Sequence, residues 1–533
     1  MYSSSGNRQG ARVAASLNPS RPLERWRGLM PEPDLLKTGI KGLDEVLFGG
    51  VPRGNIILVA GTAGTGKTTL GVEFVYRGAR EFNEPGVIVL FEVAPDKLIR
   101  DAAFFGWDLR ELERDGRLKL VFTTRQLFQQ ELRRADSPLV AEAAEIGARR
   151  IFVDGLVRLS EPDGGDPREA FHFLAEGLHR ENLTAMLALE STFSDTAAAR
   201  APEEFVADTI LRLSIEPVQR AVLRSLEVVK SRGHEYALGR HSFRIVNGLG
   251  LEVYRRVQAP RGVLREGGAA FDPASRVATG IPGLDEVVNG GYFVASTTLV
   301  VGISGAGKSV MALQFIAEGA RRGERALMIT LDEPPAQVLR NAHSIGIDLQ
   351  SAIDKGLVHL WYEPPQEIEI DRHFAQMETL VEHFKPERAV IDSLSTYGSS
   401  LGAAERSFRD FFHAIVALMK EHQVTAVYNH ENPEMLGMSS MMGEFKVSSL
   451  VDNIILMNWI ELGDTFRHAL TVAKMRAMPT SRTTHECEIV NGQGMQVRSR
   501  PVKALPMVPF AAYLGLISRA PERRTPQAVP EVP

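Results

Sequence analysis

The sequence reads as an α/β protein of two tandem domains, each a mainly parallel sheet flanked by helices. Three observations lead there. Two loops of the pattern G-x-x-x-x-G-K-[ST] stand 241 positions apart, Gly61-Thr62-Ala63-Gly64-Thr65-Gly66-Lys67-Thr68 and Gly302-Ile303-Ser304-Gly305-Ala306-Gly307-Lys308-Ser309. Each lies between a short apolar run and a helix-like stretch. Apolar runs of strand length also alternate with helix-like segments through both halves, which is the pattern of βαβ units.

Taken in order, residues 1–32 are rich in Ser, Arg, Pro and Gly without periodicity and read as a flexible arm. Thr38-Gly39-Ile40-Lys41-Gly42-Leu43-Asp44-Glu45-Val46 opens the first domain, 33–257, and recurs as Thr279-Gly280-Ile281-Pro282-Gly283-Leu284-Asp285-Glu286-Val287. The run Asn55–Ala60 precedes the first loop, and Thr298–Val301 the second. Val87–Phe91, Ile151–Val153 and Ala326–Thr330 read as further strands, and Gly106-Trp107-Asp108-Leu109 recurs as Gly346-Ile347-Asp348-Leu349. Residues 258–276, with Pro260, Gly262, Gly267, Gly268 and Pro273, read as a linker. The second domain covers 277–500. The tail, 501–533, is expected to be partly disordered, its last part from Arg519 being Pro-rich and charged. A repeat of about 240 residues is far longer than a solenoid unit, so each half can bury its own core.

Composition narrows the class. The chain is 44% hydrophobic and 24% charged with a net charge of −5, ordinary values for a globular protein and no sign of a nucleic-acid surface. Its one cysteine, Cys487, excludes an intramolecular disulfide or a cysteine zinc site. No apolar run approaches the ~18 residues that cross a bilayer, and the N-terminus lacks the apolar segment of a secretory signal. A cytoplasmic setting without membrane contact is the expectation.

The loops point to ATP and Mg²⁺. Backbone N–H groups at a helix N-terminus bind anionic phosphates, and glycines let the chain wrap close around them. Lys67 and Lys308 would reach the β- and γ-phosphates, Thr68 and Ser309 would ligate Mg²⁺, and Thr69 and Val310 continue the two sites. A second carboxylate on the metal is expected at the end of a buried strand, and Asp154 and Asp392 end apolar runs at matching places. A carboxylate that polarises the attacking oxygen is expected on the strand next to the loop; Glu92 in the first half and Asp332 with Glu333 in the second are the candidates. Lys230-Ser231-Arg232 and Lys474-Met475-Arg476 follow strand-like runs late in each half. Alternation puts both cations of each motif on one face. They would reach a neighbouring subunit's γ-phosphate as arginine fingers do, the alternative being cations that protect an exposed edge strand.

With the two opening segments, both loops, Phe105–Leu109, Ile391-Asp392-Ser393-Leu394-Ser395 and Lys474–Arg476 in this spacing, residues 35–500 resemble the KaiC family of double-domain, RecA-like ATPases of bacterial circadian clocks and related signalling. The resemblance implies two tandem RecA-like P-loop NTPase domains in an ATP-dependent homohexamer with ATP between subunits. It implies a slow ATPase in the N-terminal domain and a serine/threonine autokinase in the C-terminal one. The acceptor pair would be Ser448 and Ser449, which without the resemblance read as two serines at the start of a strand. A KaiB-like regulator or another signalling protein is the implied partner. Two departures stand out. The family's paired glutamates are reduced to Glu92-Val93 in the first half and replaced by Asp332-Glu333 in the second, so a slower kinase is expected there.

Two other readings compete. A DNA-associated RecA-like motor predicts basic loops, but residues 192–204 are net acidic and 431–444 hold no Lys or Arg, so nucleic acid is not the expected partner. A scaffold assembled by ATP without kinase activity is the third reading, kept open by Val93.

Overall fold

The computed structural model describes residues 34–132, 138–156, 167–190, 206–218, 221–259, 275–400, 405–431, 447–462, 465–478 and 483–502. Contacts divide the chain into two compact units, Met1–Arg256 and Val257–Pro533.

In the first unit, β1 (Leu35–Leu36) and β2 (Val51–Pro52) make a small antiparallel pair. The main sheet holds β3 (Ile56–Gly61), β4 (Gly86–Leu90), β5 (Leu118–Phe122), β6 (Arg150–Leu156), β7 (Thr184–Glu190), β8 (Thr209–Val218), β9 (Ala221–Ser231), β10 (Arg240–Val246) and β11 (Gly250–Tyr254). Their order is β5-β4-β6-β7-β3-β8-β9-β10-β11. The strands from β5 to β8 in that order are parallel, and the last three extend the sheet antiparallel.

The second unit repeats the plan. After the pair β12 (Arg276–Val277) and β13 (Tyr292–Phe293) come β14 (Thr297–Gly302), β15 (Ala326–Thr330), β16 (Val358–Tyr362), β17 (Arg388–Asp392), β18 (Thr425–Glu431), β19 (Asn453–Leu462), β20 (Thr465–Met475), β21 (Thr484–Val490) and β22 (Gly494–Pro501). The order β16-β15-β17-β18-β14-β19-β20-β21-β22 matches the first sheet strand for strand. Each unit is thus a mainly parallel sheet flanked by helices, as the alternation predicts.

One of the expectations changes here. The strands ending before Glu92 and Asp332, β4 and β15, do not neighbour the loop strands β3 and β14; two later strands lie between them in each sheet. Parallel strands need helical crossovers, and here β6, β7 and their counterparts β17, β18 fill the gap those crossovers leave. The Lys-x-Arg strands β9 and β20 are interior to their sheets, but pairing with β10 and β21 stops at Glu227 and Thr471, so Lys230 and Lys474 pair only with β8 and β19 and an exposed edge beside these cations stays open as an explanation.

The central strands are apolar along their whole length because both faces are covered. Alternate residues enter different cores: Ile57, Val59, Ile88 and Leu90 join one cluster, and Ile56, Leu58, Val87 and Val89 the other. The repeated opening segments are explained by local geometry. Asp44 Oδ1 accepts from Thr38 N at 2.8 Å and Thr38 Oγ1 at 2.7 Å, and Asp285 Oδ1 accepts from Thr279 N at 2.9 Å. Gly42 (φ 76°) and Gly283 (φ 81°) press against the carbonyls of Val253 and Val497, where a Cβ would come within 1.9 Å. Asp108 and Asp348 cap short helices by accepting from Glu111 N and Ser351 N, which accounts for the second repeated motif.

Each unit also buries an arginine at the foot of the strand that ends near Asp154 or Asp392. Arg150 has no exposed surface; it donates to the carbonyls of Phe74 and Lys37, pairs with Glu84, and lies 4.7 Å from the Phe74 ring centroid. Arg388 repeats this with Glu324, Ala278 O, Phe315 O and the Phe315 ring. Both fix the loop helix, Lys67–Glu81 or Lys308–Arg322, to that strand.

The two halves differ in the middle of that helix. Glu73 is fully buried and accepts from Leu251 N at 2.7 Å, while Gln314, 241 positions on, accepts from Met495 N at 2.7 Å. Burial pushes the Glu73 carboxyl up to about 7. The folded state therefore keeps its proton to about pH 7, whereas an unfolded chain releases it near pH 4.5. Stability falls as pH rises through that window. Glu73→Gln removes this titration, and the fall in the first unit's stability from pH 5 to pH 8 is expected to shrink by roughly 1–2 kcal/mol, as read by thermal unfolding at both pH values.

Candidate active site

Both glycine-rich loops join the C-terminal end of a buried parallel strand to a fifteen-residue helix, Lys67–Glu81 or Lys308–Arg322. Their crests, Ala63-Gly64 and Ser304-Gly305, face solvent, so the backbone is open to a ligand. Thr65 Oγ1 donates to Thr62 O at 2.9 Å and pins the curl. Lys67 Nζ donates to Gly61 O (2.8 Å) and Thr62 O (2.9 Å); Lys308 Nζ donates to Gly302 O (2.9 Å) and Ile303 O (2.8 Å). Burial lowers the pKa of both ammonium groups. Each lysine is thus held across the loop mouth by two carbonyl oxygens. Ile303 and Val310 pack partly against the core, which leaves their backbone groups as the part that a ligand can use.

The expected metal-binding pairs come together in both units. Thr68 Oγ1 donates to both oxygens of Asp154, at 3.1 and 3.0 Å. Ser309 hydrogen-bonds the Asp392 carboxylate. Burial raises both carboxyls, and the hydroxyl bond and the nearby lysine oppose that rise. A hydroxyl, a carboxylate and the phosphates of a nucleotide form the all-oxygen donor set that suits Mg²⁺. Among the described residues no cluster of three or more His, Cys, Asp or Glu offers a metal site independent of a nucleotide.

The candidate bases are held differently. Glu92 stands 69% exposed and takes a hydrogen bond from Arg125. Asp332 accepts from Ser393 Oγ at 3.0 Å and from Thr396 Oγ1 at 2.9 Å. Glu333 accepts from Asn341 Nδ2 at 3.0 Å, while Val93, at the matching place, packs against the first core. Nothing in the sequence pattern singles out Arg125, Thr396 or Asn341, and Ser393 stood out only as part of the motif Ile391–Ser395; their contacts with the acids become visible only in the folded sheet.

Lys-x-Arg lies at the other end of the sheet. Arg476 N donates to Asp452 O, and Asp452 N to Thr297 O, five residues before Gly302. At about 3.3 Å per residue that is ~17 Å from the loop. In the first unit, Arg232 N donates to Asp208 O and Asp208 N to Ile56 O, again five residues before Gly61. Lys230 Nζ donates to Ala207 O at 2.6 Å, and Arg232 lies 3.6 Å from Asp208. Lys474 Nζ donates to the carbonyls of Ser448 (2.6 Å) and Val451 (2.7 Å), and Arg476 Nη2 to Ser449 O at 2.9 Å. Ser448 and Ser449 form part of a 3₁₀ turn, Val447–Ser449, ahead of β19, with Ser449 exposed. Clamped by these two cations, the serines belong to the Lys-x-Arg end and not to the loop end. Residues 192–204 and, apart from Glu431, 431–444, weighed above as the loops of a DNA-associated motor, lie outside the described residues, as do most of the linker and both termini. No described helix is long and apolar enough to cross a membrane. Cys487 is buried, its thiol pushed up to about 12 by burial, and takes no part in either site.

The sequence model of one family, described as "ATPase: KaiC", matches residues 36–258 and 277–502. A protein named circadian clock oscillator protein KaiC from Picosynechococcus is 30% identical over 516 residues, covering 95% of each chain. The protein of the same name from Parathermosynechococcus lividus is 32% identical over 499 residues, 91% of this chain and 88% of its own. That from Thermosynechococcus vestitus is 31% identical over 501 residues, 92% of each.

Replacing either loop lysine removes a charged donor aimed across the loop mouth. Lys67→Ala or Lys308→Ala is expected to weaken ATP binding at its own loop by roughly ten- to a hundredfold, measured by equilibrium titration of a fluorescent ATP analogue.

Proposed function

Because the chain belongs to the KaiC family of ATPases, we propose that each unit binds ATP at its glycine-rich loop in a homohexamer. In this reading the first unit hydrolyses ATP slowly and the second transfers phosphate to Ser448 or Ser449 of a neighbouring copy. The observation that carries the reading is the ~17 Å of sheet between Gly302 and the clamp on the serines, by strand rise. A chain cannot bring its own serines to its own loop, but copies arranged head to tail can.

The roles follow from position. Loop amides from Gly61 to Thr69 and from Gly302 to Val310 hold the phosphates, and Lys67 and Lys308 exchange their carbonyl bonds for β- and γ-phosphate oxygens. Thr68 with Asp154 and Ser309 with Asp392 would hold Mg²⁺, which would supply charge neutralisation at the phosphates. Lys230 with Arg232, and Lys474 with Arg476, face the γ-phosphate of the adjacent copy. Since Lys474 and Arg476 also grip the serine backbone, acceptor and cations arrive together. In the second unit the serine Oγ bonds to the γ-phosphorus as the bond from that phosphorus to the bridging oxygen breaks, leaving ADP. The serine proton passes to Asp332, with Glu333 beside it. In the first unit Glu92 takes the proton of an attacking water instead. Phosphate on the turn adds about two negative charges beside Arg476 and Asp452, which gives the assembly two states for a KaiB-like regulator or another cytoplasmic signalling protein to read.

The test is a timed incubation of the protein with Mg·ATP, followed by phosphopeptide mapping of residues 440–460, with Asp332→Asn alongside. Phosphate on Ser448 or Ser449 that falls at least tenfold in the variant is the expected result. ADP without phosphoserine would demote the second unit to an ATPase, and neither product would leave an ATP-assembled scaffold.

A further inference from the structure

Glu92 lies two residues beyond β4 with its side chain mostly in solvent. A carboxylate so placed samples several rotamers, and catalysis needs one. Three contacts of a single arginine bear on this. Arg125 Nη2 donates to Glu92 Oε1. Its Nε donates to Gly155 O at 2.8 Å, one residue beyond Asp154. Its guanidinium carbon lies 5.4 Å from the centroid of the Phe91 ring, next to Glu92. One rigid fork therefore ties the candidate base to the strand end that carries the candidate metal ligand.

The second unit lacks this device. Pro365 stands 240 positions on from Arg125. There the hydroxyls of Ser393 and Thr396 hold Asp332, and both come from the segment just after Asp392. The two units thus solve one problem by different chemistry: each fixes its acid to the end of the metal-ligand strand. The first has the greater need, because Val93 packs into the core where the second unit has Glu333.

We propose that Arg125 is a positioning residue for ATP hydrolysis in the first unit, holding Glu92 at the end of β6 beside Asp154. Its bond engages one carboxylate oxygen and leaves the other to orient water. Arg125 acts through Glu92 and does not touch the nucleotide. The proposal rests on the hydrolysis reading above.

The experiment measures ADP release by the full-length chain in a Lys308→Ala background, so that turnover at the first loop dominates. Arg125→Ala, Arg125→Lys, Glu92→Gln and the double variant Arg125→Ala/Glu92→Gln are compared, with assembly checked by light scattering. Arg125→Ala is expected to lower kcat about tenfold with KM for ATP within about twofold. Arg125→Lys, which keeps the charge but not the fork, should recover part of the loss. The double variant should be no slower than Glu92→Gln alone, because the arginine has nothing left to position. Unchanged kcat in an assembled Arg125→Ala, or an undiminished further loss on top of Glu92→Gln, would overturn the proposal. Glu92→Gln turning over at the parental rate would instead overturn the underlying assignment of the base, and the two failures are told apart by that variant alone.

Discussion

In both sheets the loop strand is fixed in parallel register between two neighbours, so its two ends open on opposite sides of the sheet. Gly302 lies level with Met457, and Thr298 with Asn453. The candidate phosphate-binding groups of the second unit, the loop, Lys308, Ser309 and Asp392, cluster at the first level. The turn with Ser448 and Ser449 and the Lys-x-Arg pair cluster at the second. Register cannot slip by one residue without turning the fully buried strand faces against the wrong core. The separation is therefore as rigid as the core, and under the proposed function a complete site is assembled from more than one copy. The same spacing in the first unit, from Gly61 to Arg232, extends the constraint to both units.

The buried guanidiniums show how that register is held. Arg150 and Arg388 lock the loop helix to the strand that carries Asp154 or Asp392, donating to Phe74 O and Phe315 O within that helix. Removing such a group from its carboxylate partner is costly in a buried setting. Around this shared frame the halves diverge where packing tolerates it. Glu73 has become Gln314, and Arg125 has no counterpart. The Glu73 carboxyl, where the second unit has a neutral amide, makes the first unit's stability depend on pH.

The sequence made the frame legible because its signals are local. A glycine-rich loop between an apolar run and a helix, an Asp after a buried strand, and an Asp that caps a helix each depend on neighbours within a few residues, and the repeat doubled each signal. Sheet order was not legible. Nothing in Val87–Phe91 reveals that β6 and β7 separate it from the loop strand, so Glu92 was expected one strand from the loop and stands three strands away. The Lys-x-Arg pairs were read as one face of a strand, but their grip on Ser448 and Ser449 depends on how a turn far away in sequence meets β20. Arg125 was invisible for the same reason: its partners, Glu92 and Gly155, lie 33 and 30 residues away.

The central claim is that one chain supplies the loop and another the serines and cations. It is tested most directly by mixing two inactive variants, Lys308→Ala and Arg476→Ala, allowing them to reassemble, and following phosphate on Ser448 and Ser449. Random mixing leaves about a quarter of head-to-tail interfaces with an intact loop facing an intact clamp, so recovery to about that fraction of the parental rate is the result expected. A mixture no more active than either variant alone would place loop and acceptor in the same chain and contradict the account.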